Sequence, residues 1–195
     1  MTPKKPLFRL TICGIPELGE HCAAGVTHVL SILDPDWPEP PAFAEFAPHR
    51  RLGLRFHDVI ETNRPDRLAP SRADVERLLA FGRELGEGES IHLLVHCHAG
   101  VSRSTAASAL ILAQAHPELA AGEVFDRVAQ LRPRVWPNLR MLEFGDALLG
   151  RDGEIVAAVR PLYRRLLARE PTFEDAMIDS GRGREVVAAL SSRAC

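Results

Sequence analysis

The sequence is poor in lysine: Lys4 and Lys5 are the only two, so nearly all of its positive charge is arginine. Basic and acidic side chains number 24 and 26, a net charge of −2, which provides no basic surface for nucleic acid and no strong steering field. Cysteine is also scarce. Cys13, Cys22, Cys97 and Cys195 show neither metal-ligand spacing nor a small disulfide framework, and they fit a reducing, cytoplasmic setting. No run approaches the roughly 20 apolar residues of a membrane helix. The apolar stretch after Lys4 and Lys5 is interrupted by Arg9 and ended by Gly14-Ile15-Pro16, which argues against a signal peptide. There is no internal repeat and no low-complexity segment.

What is present suits one globular core: 195 residues with 46% apolar side chains. Leu7–Cys13, Val26–Leu33 and Arg51–His57 read as strands, with a short helical segment from Glu17 to Ala24. Between Asp34 and Pro48, five prolines exclude a regular strand or a long helix. Trp37, Phe43 and Phe46 in this loop either pin it to the core or border a site; no catalytic residue is predicted there. Ser71 reads as the N-cap of a helix carrying Val75, Leu78, Leu79 and Phe81, broken by glycines at 82, 86 and 88. Further helices follow at Leu119–Leu131, from Leu139 to Leu148 and from Ile155 to Ala168, the last with Arg160, Arg164, Arg165 and Arg169 on its polar side. Val186–Leu190 is an apolar run that reads as a last docked helix or a partner contact.

The informative stretch is Val95-His96-Cys97-His98-Ala99-Gly100-Val101-Ser102-Arg103-Ser104. An apolar strand from Ile91 delivers Cys97 to its end, and from Ser104 the small-residue pattern of a helix begins. Backbone amides of a short loop entering a helix N-terminus lack intrahelical acceptors, so they form a positively polarised cup for a tetrahedral oxyanion. Gly100 allows the turn. Arg103 can close its planar fork over two phosphate oxygens. The same field stabilises a thiolate, and cysteines so placed titrate at about 3.5–7.5. Cys97 is therefore expected to be ionised beneath a phosphate held for in-line attack.

His96-Cys97, five residues, then Arg103-Ser104 resembles the signature of the cysteine-dependent protein tyrosine phosphatases, and Ala99-Gly100 with Ser102-Arg103-Ser104 resembles their dual-specificity branch. The resemblance implies that Cys97 takes the phosphoryl group, Arg103 binds it and Ser104 helps the thiolate leave. It implies phosphate binding by His98, Ala99, Gly100, Val101, Ser102 and Arg103, and a loop-orienting role for His96, which as a lone residue reads equally as a core histidine. Asp58 lies 39 positions before Cys97, at the end of another strand, where the resemblance places the general acid and base; Glu61 and Asp66 are the alternatives. His57 reads as structural, and Asn63, Arg64 and Arg67 stay outside the catalytic set. An arginine at 132, the pair Pro137-Asn138 and the helix behind them match the same branch, making Asn138 a supporting residue.

The fold so implied is α/β, a mostly parallel sheet of about four to five strands flanked by helices with the phosphate loop between a strand and a helix. Residues 1–150 are expected to form the catalytic domain, and 151–195 a helical extension packed on it or trailing from it. The implied activity is hydrolysis of phosphomonoesters, chiefly phosphotyrosine with possible phosphoserine and phosphothreonine activity, needing no cofactor and no metal. Phosphorylated protein or a small phosphomonoester is the expected partner, with phosphate, sulfate or vanadate binding in the loop and no nucleic acid or membrane involved. Two alternatives stay open. One is a phosphate-binding module without turnover. The other is a phosphatase of inositol phosphates, phosphoinositides or RNA 5′-phosphates, which the absence of lysine from residues 98–102 disfavours. Oxidation of Cys97, resolved by Cys13 or Cys22, is a further expectation.

Overall fold

Four short apolar segments form the centre of the molecule. β1 (Arg9–Gly14), β2 (His28–Leu33), β3 (Arg50–Arg55) and β4 (His92–Cys97) make a wholly parallel sheet in the order β1-β4-β2-β3. The computed structural model describes residues 8–85 and 90–191; Lys4, Lys5, Leu7, Gly86, Gly88 and Cys195 lie outside the described residues. Gly14 pairs with Cys97, Ser31 with His96, and Leu33 with Arg55, so the strands end along one edge. Asp34, Asp58 and Cys97 all stand on that carboxyl edge, where open parallel sheets bind their ligands.

β4 is buried along its whole length, as a parallel strand covered on both faces must be. Its alternation divides the core. Leu93, Val95 and Cys97 join the larger cluster, under the helices α1 (Arg72–Glu84), α2 (Arg103–Ala115), α3 (Ala121–Leu131) and α4 (Leu139–Leu148). Leu94 faces the other way, with Cys13, Leu18, Val26 and Val29, beneath 3-10 turns at Ile15–His21 and Pro41–Glu45. α2 is buried from Arg103 to Ala113, and its Ala106, Ala107 and Ala109 let neighbouring elements close on it. α1 begins with a reciprocal cap, Ser71 Oγ accepting from the Asp74 amide and the Asp74 carboxylate from the Ser71 amide. Its buried Val75, Leu78, Leu79 and Phe81 each contribute roughly 1.5–3 kcal/mol.

The predicted break at Gly82 does not occur: α1 runs on to Glu84 because Phe81 and Leu85 continue its buried face. The segment expected as a helix after Gly14 is a 3-10 turn led by Pro16. The third strand stops at Arg55, since the backbone of His57 pairs instead with Leu68, whose amide also donates to His57 Nδ1 at 2.9 Å. Beyond residue 150 come α5 (Glu154–Arg169), α6 (Phe173–Asp179) and α7 (Gly183–Leu190). Ile155, Val159 and Leu162 of α5 and Val186 and Ala189 of α7 enter the same core as α1 to α4. Trp136 stacks on Tyr163 of α5 at 4.3 Å and meets Phe173 of α6 edge-on at 5.2 Å, tying this segment to the sheet's carboxyl edge.

Candidate active site

The loop from Cys97 to Arg103 is held by its carbonyls. His98 O accepts from the Ile15 amide at 2.9 Å, and Val101 O from the Trp136 amide at 2.9 Å. Arg132 takes two more, its Nη2 donating to Ala99 O at 2.9 Å and its Nε to Gly100 O at 3.1 Å, while its Nη1 pairs with Glu17 at 2.6 Å. With the carbonyls tied outward, the amides of residues 98–102 donate to no protein acceptor among the described residues. They are available to an anion. Gly100 makes this loop possible. Its φ is +69°, and a Cβ there would lie 2.5 Å from the Cys13 carbonyl carbon.

Cys97 is buried at the base of this cup, with Ser104 Oγ 3.2 Å from its Sγ. Arg103, also buried, donates from Nη1 to Asp34 Oδ1 and to Phe56 O, each at 2.6 Å. Its Nε has no protein acceptor among the described residues, leaving a donor for an oxyanion. His98 Nε2 accepts from the Asp34 amide at 3.2 Å, and the Trp37 ring lies 4.3 Å from the His98 ring. Burial and then the Arg103 charge lower the His98 pKa, favouring the neutral imidazole that such an acceptor role needs.

Asp58 stands across the cup. Its Oδ1 accepts from Ser102 Oγ at 2.8 Å and Asn138 Nδ2 at 2.9 Å, and its Oδ2 lies 3.1 Å from Arg182 Nη1. Burial opposes its ionisation, but Arg182, Arg103 and the two neutral donors outweigh it and hold the carboxyl below its ordinary range. Arg134, Trp136, Phe173, Met177 and Arg182 complete the pocket wall.

Cys97, Arg103, Ser104 and Asp58 thus come together with the loop residues 98–102, and Asn138 reaches Asp58 directly. His96 does not join them. β4 turns its side chain to the opposite face, against Phe43 at a ring distance of 5.3 Å, and neither ring nitrogen has a partner among the described residues. Burial, opposed by the Cys97 backbone, lowers its pKa to about 4, which favours the neutral ring. Glu61 is bound to Arg184 and Asp66 to Arg64, both on exposed surface away from the pocket lining. The proline-rich loop divides its aromatics: Phe43 and Phe46 pack under the sheet, whereas Trp37 reaches the cup at His98. Cys13 points to the face opposite Cys97, where burial and Glu17 push its thiol up to about 12. A bridge between the two would need backbone movement.

Sequence reasoning missed two charged groups. Asp34 carries no sequence signal beyond opening the proline-rich loop, although its position just past β2 puts it on the carboxyl edge. Arg182 carried no signal beyond its i,i+3 spacing to Glu185, since only the packing of α7 brings it to Asp58.

No protein-family model matches the chain, and neither does any curated protein sequence. Solved structures do resemble it. Human DUSP28 is 21% identical with a TM-score of 0.52, over 73% of this chain and 94% of that one. Tk-PTP in its active form is 21% identical with a TM-score of 0.51, over 77% and 99% of the two chains. DUSP15 is 20% identical with a TM-score of 0.53, over 77% and 89%. At such identities the likeness is one of fold, and by its parallel sheet and flanking helices this chain has the fold of the dual-specificity phosphatases.

Proposed function

We propose that the protein is a phosphatase acting through a phosphocysteine on Cys97, with phosphotyrosine or another aryl phosphate as its preferred class of substrate. The observation that carries this reading is the cup itself: amides turned inward by bonds on every intervening carbonyl, around a buried thiol and beside the Arg103 guanidinium. Amides and guanidinium supply the positive field that a metal ion supplies in other phosphatases. The apolar wall from Phe173 and Met177 favours an aromatic leaving group, and Arg134, over the Phe173 ring and paired with Glu170 at 3.2 Å, lies at the rim. A thiol chemistry of this kind suits a reducing cytoplasm, and no described helix is long and apolar enough to cross a membrane.

In the first step the Cys97 thiolate forms an S–P bond while the ester P–O bond breaks, and Asp58 protonates the departing oxygen. In the second, Asp58 takes a proton from water, the new P–O bond forms, and the thiolate leaves, stabilised by Ser104 Oγ. Hydrolysis of a small aryl phosphate with chelator present tests this reading. Wild type turns over, Cys97→Ser does not, and Asp58→Ala falls by roughly 10²–10⁴-fold and loses the basic limb of its pH profile. An inactive wild type that still binds phosphate or vanadate, and is thereby protected from alkylation at Cys97, overturns turnover in favour of a phosphate-binding module.

A further inference from the structure

Arg182 is a buried cation that no step above uses. It stands at the entry to α7, yet its Nη1 lies 2.8 Å from Ser102 Oγ and 3.1 Å from Asp58 Oδ2. Glu185 anchors the rest of the guanidinium, its Oε2 accepting from Nε at 2.7 Å and its Oε1 from Nη2 at 2.8 Å. Glu185 in turn accepts from Trp136 Nε1 at 2.5 Å and from the Leu139 amide at 2.9 Å. The fork is therefore fixed to the pocket wall and to the start of α4 before it meets Asp58.

The two oxygens of Asp58 differ. Oδ1 accepts from two neutral donors, Ser102 and Asn138, whereas Oδ2 is paired with Arg182. A proton on Oδ2 weakens one ion-pair contact, and Arg182 keeps Ser102 Oγ and both Glu185 oxygens. Oδ2 is thus the oxygen that can gain and lose a proton without undoing the network. We infer that Arg182 is the positioning residue for Asp58: it fixes Oδ2 in the pocket wall and governs when that oxygen carries the proton given to the leaving group. This rests on the phosphatase reading with Asp58 as acid.

The titratable and charged groups around Asp58 are Arg182 just before α7, with Glu185 of α7 behind it, Arg103 at the start of α2, His98 and Cys97 of the cup, and Tyr163 of α5. Arg103 serves the phosphate, and His98, Glu185 and Tyr163 are each shifted toward their neutral forms by burial. Arg182 is the cation whose removal alters Asp58 and leaves the cup's own donors in place. Holding Asp58 ionised suits the water-activating step. It also restricts the first step to ester oxygens that leave with little help, which selects aryl over alkyl phosphates.

The test is the pH dependence of kcat/KM for phenyl phosphate and p-nitrophenyl phosphate in wild type, Arg182→Lys, Arg182→Met, the double variant Arg182→Met/Glu185→Gln, and Asp58→Asn. Removing the guanidinium charge raises the protonated fraction of Asp58. The basic limb for phenyl phosphate therefore moves to higher pH in both Met variants, by on the order of one unit or tenfold in protonated acid at a given pH on that limb. Arg182→Lys stays near wild type, and the better leaving group shows the smaller change. The double variant avoids leaving Glu185 as a buried carboxylate without its cation, and the position of a limb is independent of how much enzyme folds. Rates lowered at every pH with the limb unmoved would overturn the inference and reduce Arg182 to a structural role. An equal shift in Arg182→Lys would also overturn it, because charge would then not be the cause. If Asp58→Asn keeps the wild-type basic limb, the assignment of Asp58 as the acid has failed, whatever Arg182 does.

Discussion

The two sides of the pocket are built differently. The cup is one continuous stretch, Cys97 to Ser104, whose working groups are mostly backbone amides. The side that carries Asp58, the proposed acid, is assembled from side chains distant in sequence: Asp58 after β3, Ser102 in the loop, Asn138 before α4 and Arg182 before α7. A main-chain site depends on the loop keeping its shape, and many side-chain changes around it leave that shape intact. A site of converging side chains depends on every member, and a single substitution alters its charge balance.

The sharpest way to break this contrast is to attack the cup through its backbone. Gly100→Ala forces an L residue into a positive φ with its Cβ against the Cys13 carbonyl, and should abolish both turnover and protection of Cys97 by phosphate, read by alkylation in the presence of vanadate. A cup that still protects Cys97 after this change would show that its amides are not the binding element. Next in size is Asp34→Ala. It removes the carboxylate that orients Arg103 through a charge-assisted bond of roughly 1.5–3 kcal/mol, so phosphate inhibition should weaken about 10- to 100-fold. The control is Asp66→Ala on the exposed surface, with no change expected. Arg132→Met frees the Ala99 and Gly100 carbonyls and should weaken phosphate binding by about tenfold, through the same geometry that Gly100 protects.

The smallest effect lies beneath the cup. His96 is neutral in the folded state with its pKa depressed to about 4, so the unfolded chain binds the extra proton between that value and the ordinary 6.5. Its contribution to stability is complete above about pH 6.5 and is lost progressively as pH falls toward 4. A urea midpoint that falls from pH 7 to pH 5, with a smaller fall in His96→Asn, is the expected result. An identical slope in the two proteins would remove His96 as the cause. The lowered carboxyl of Asp58 acts in a separate, more acidic window, since its stabilisation is lost as pH falls through its own depressed value.

The same division explains what could be read from the sequence. The apolar strand ending at Cys97, Gly100, Arg103 and the small-residue helix are neighbours in the chain, so local rules reached the strand, loop and helix that bring these side chains together. Strands and helices followed from periodicity, with errors at ends such as His57 and Gly82, where a partner in another segment decides. Asp58 and Asn138 needed the resemblance in addition. Asp34 and Arg182 were beyond reach, because what gives them a role is the strand order and the packing of α7, and neither leaves a mark in local composition. His96 was legible in position but not in its facing, since the alternation of β4 that brings Cys97 to the cup turns the His96 side chain away from it.

The most direct test of the central claim is to quench turnover of a labelled aryl phosphate in acid within the first cycle and map the label by mass spectrometry. The account predicts a burst of released phenol and one phosphorylated peptide, carrying the group on Cys97, absent from Cys97→Ser and accumulating further in Asp58→Asn with a good leaving group. Steady turnover with no phosphate on Cys97 at any time would contradict it.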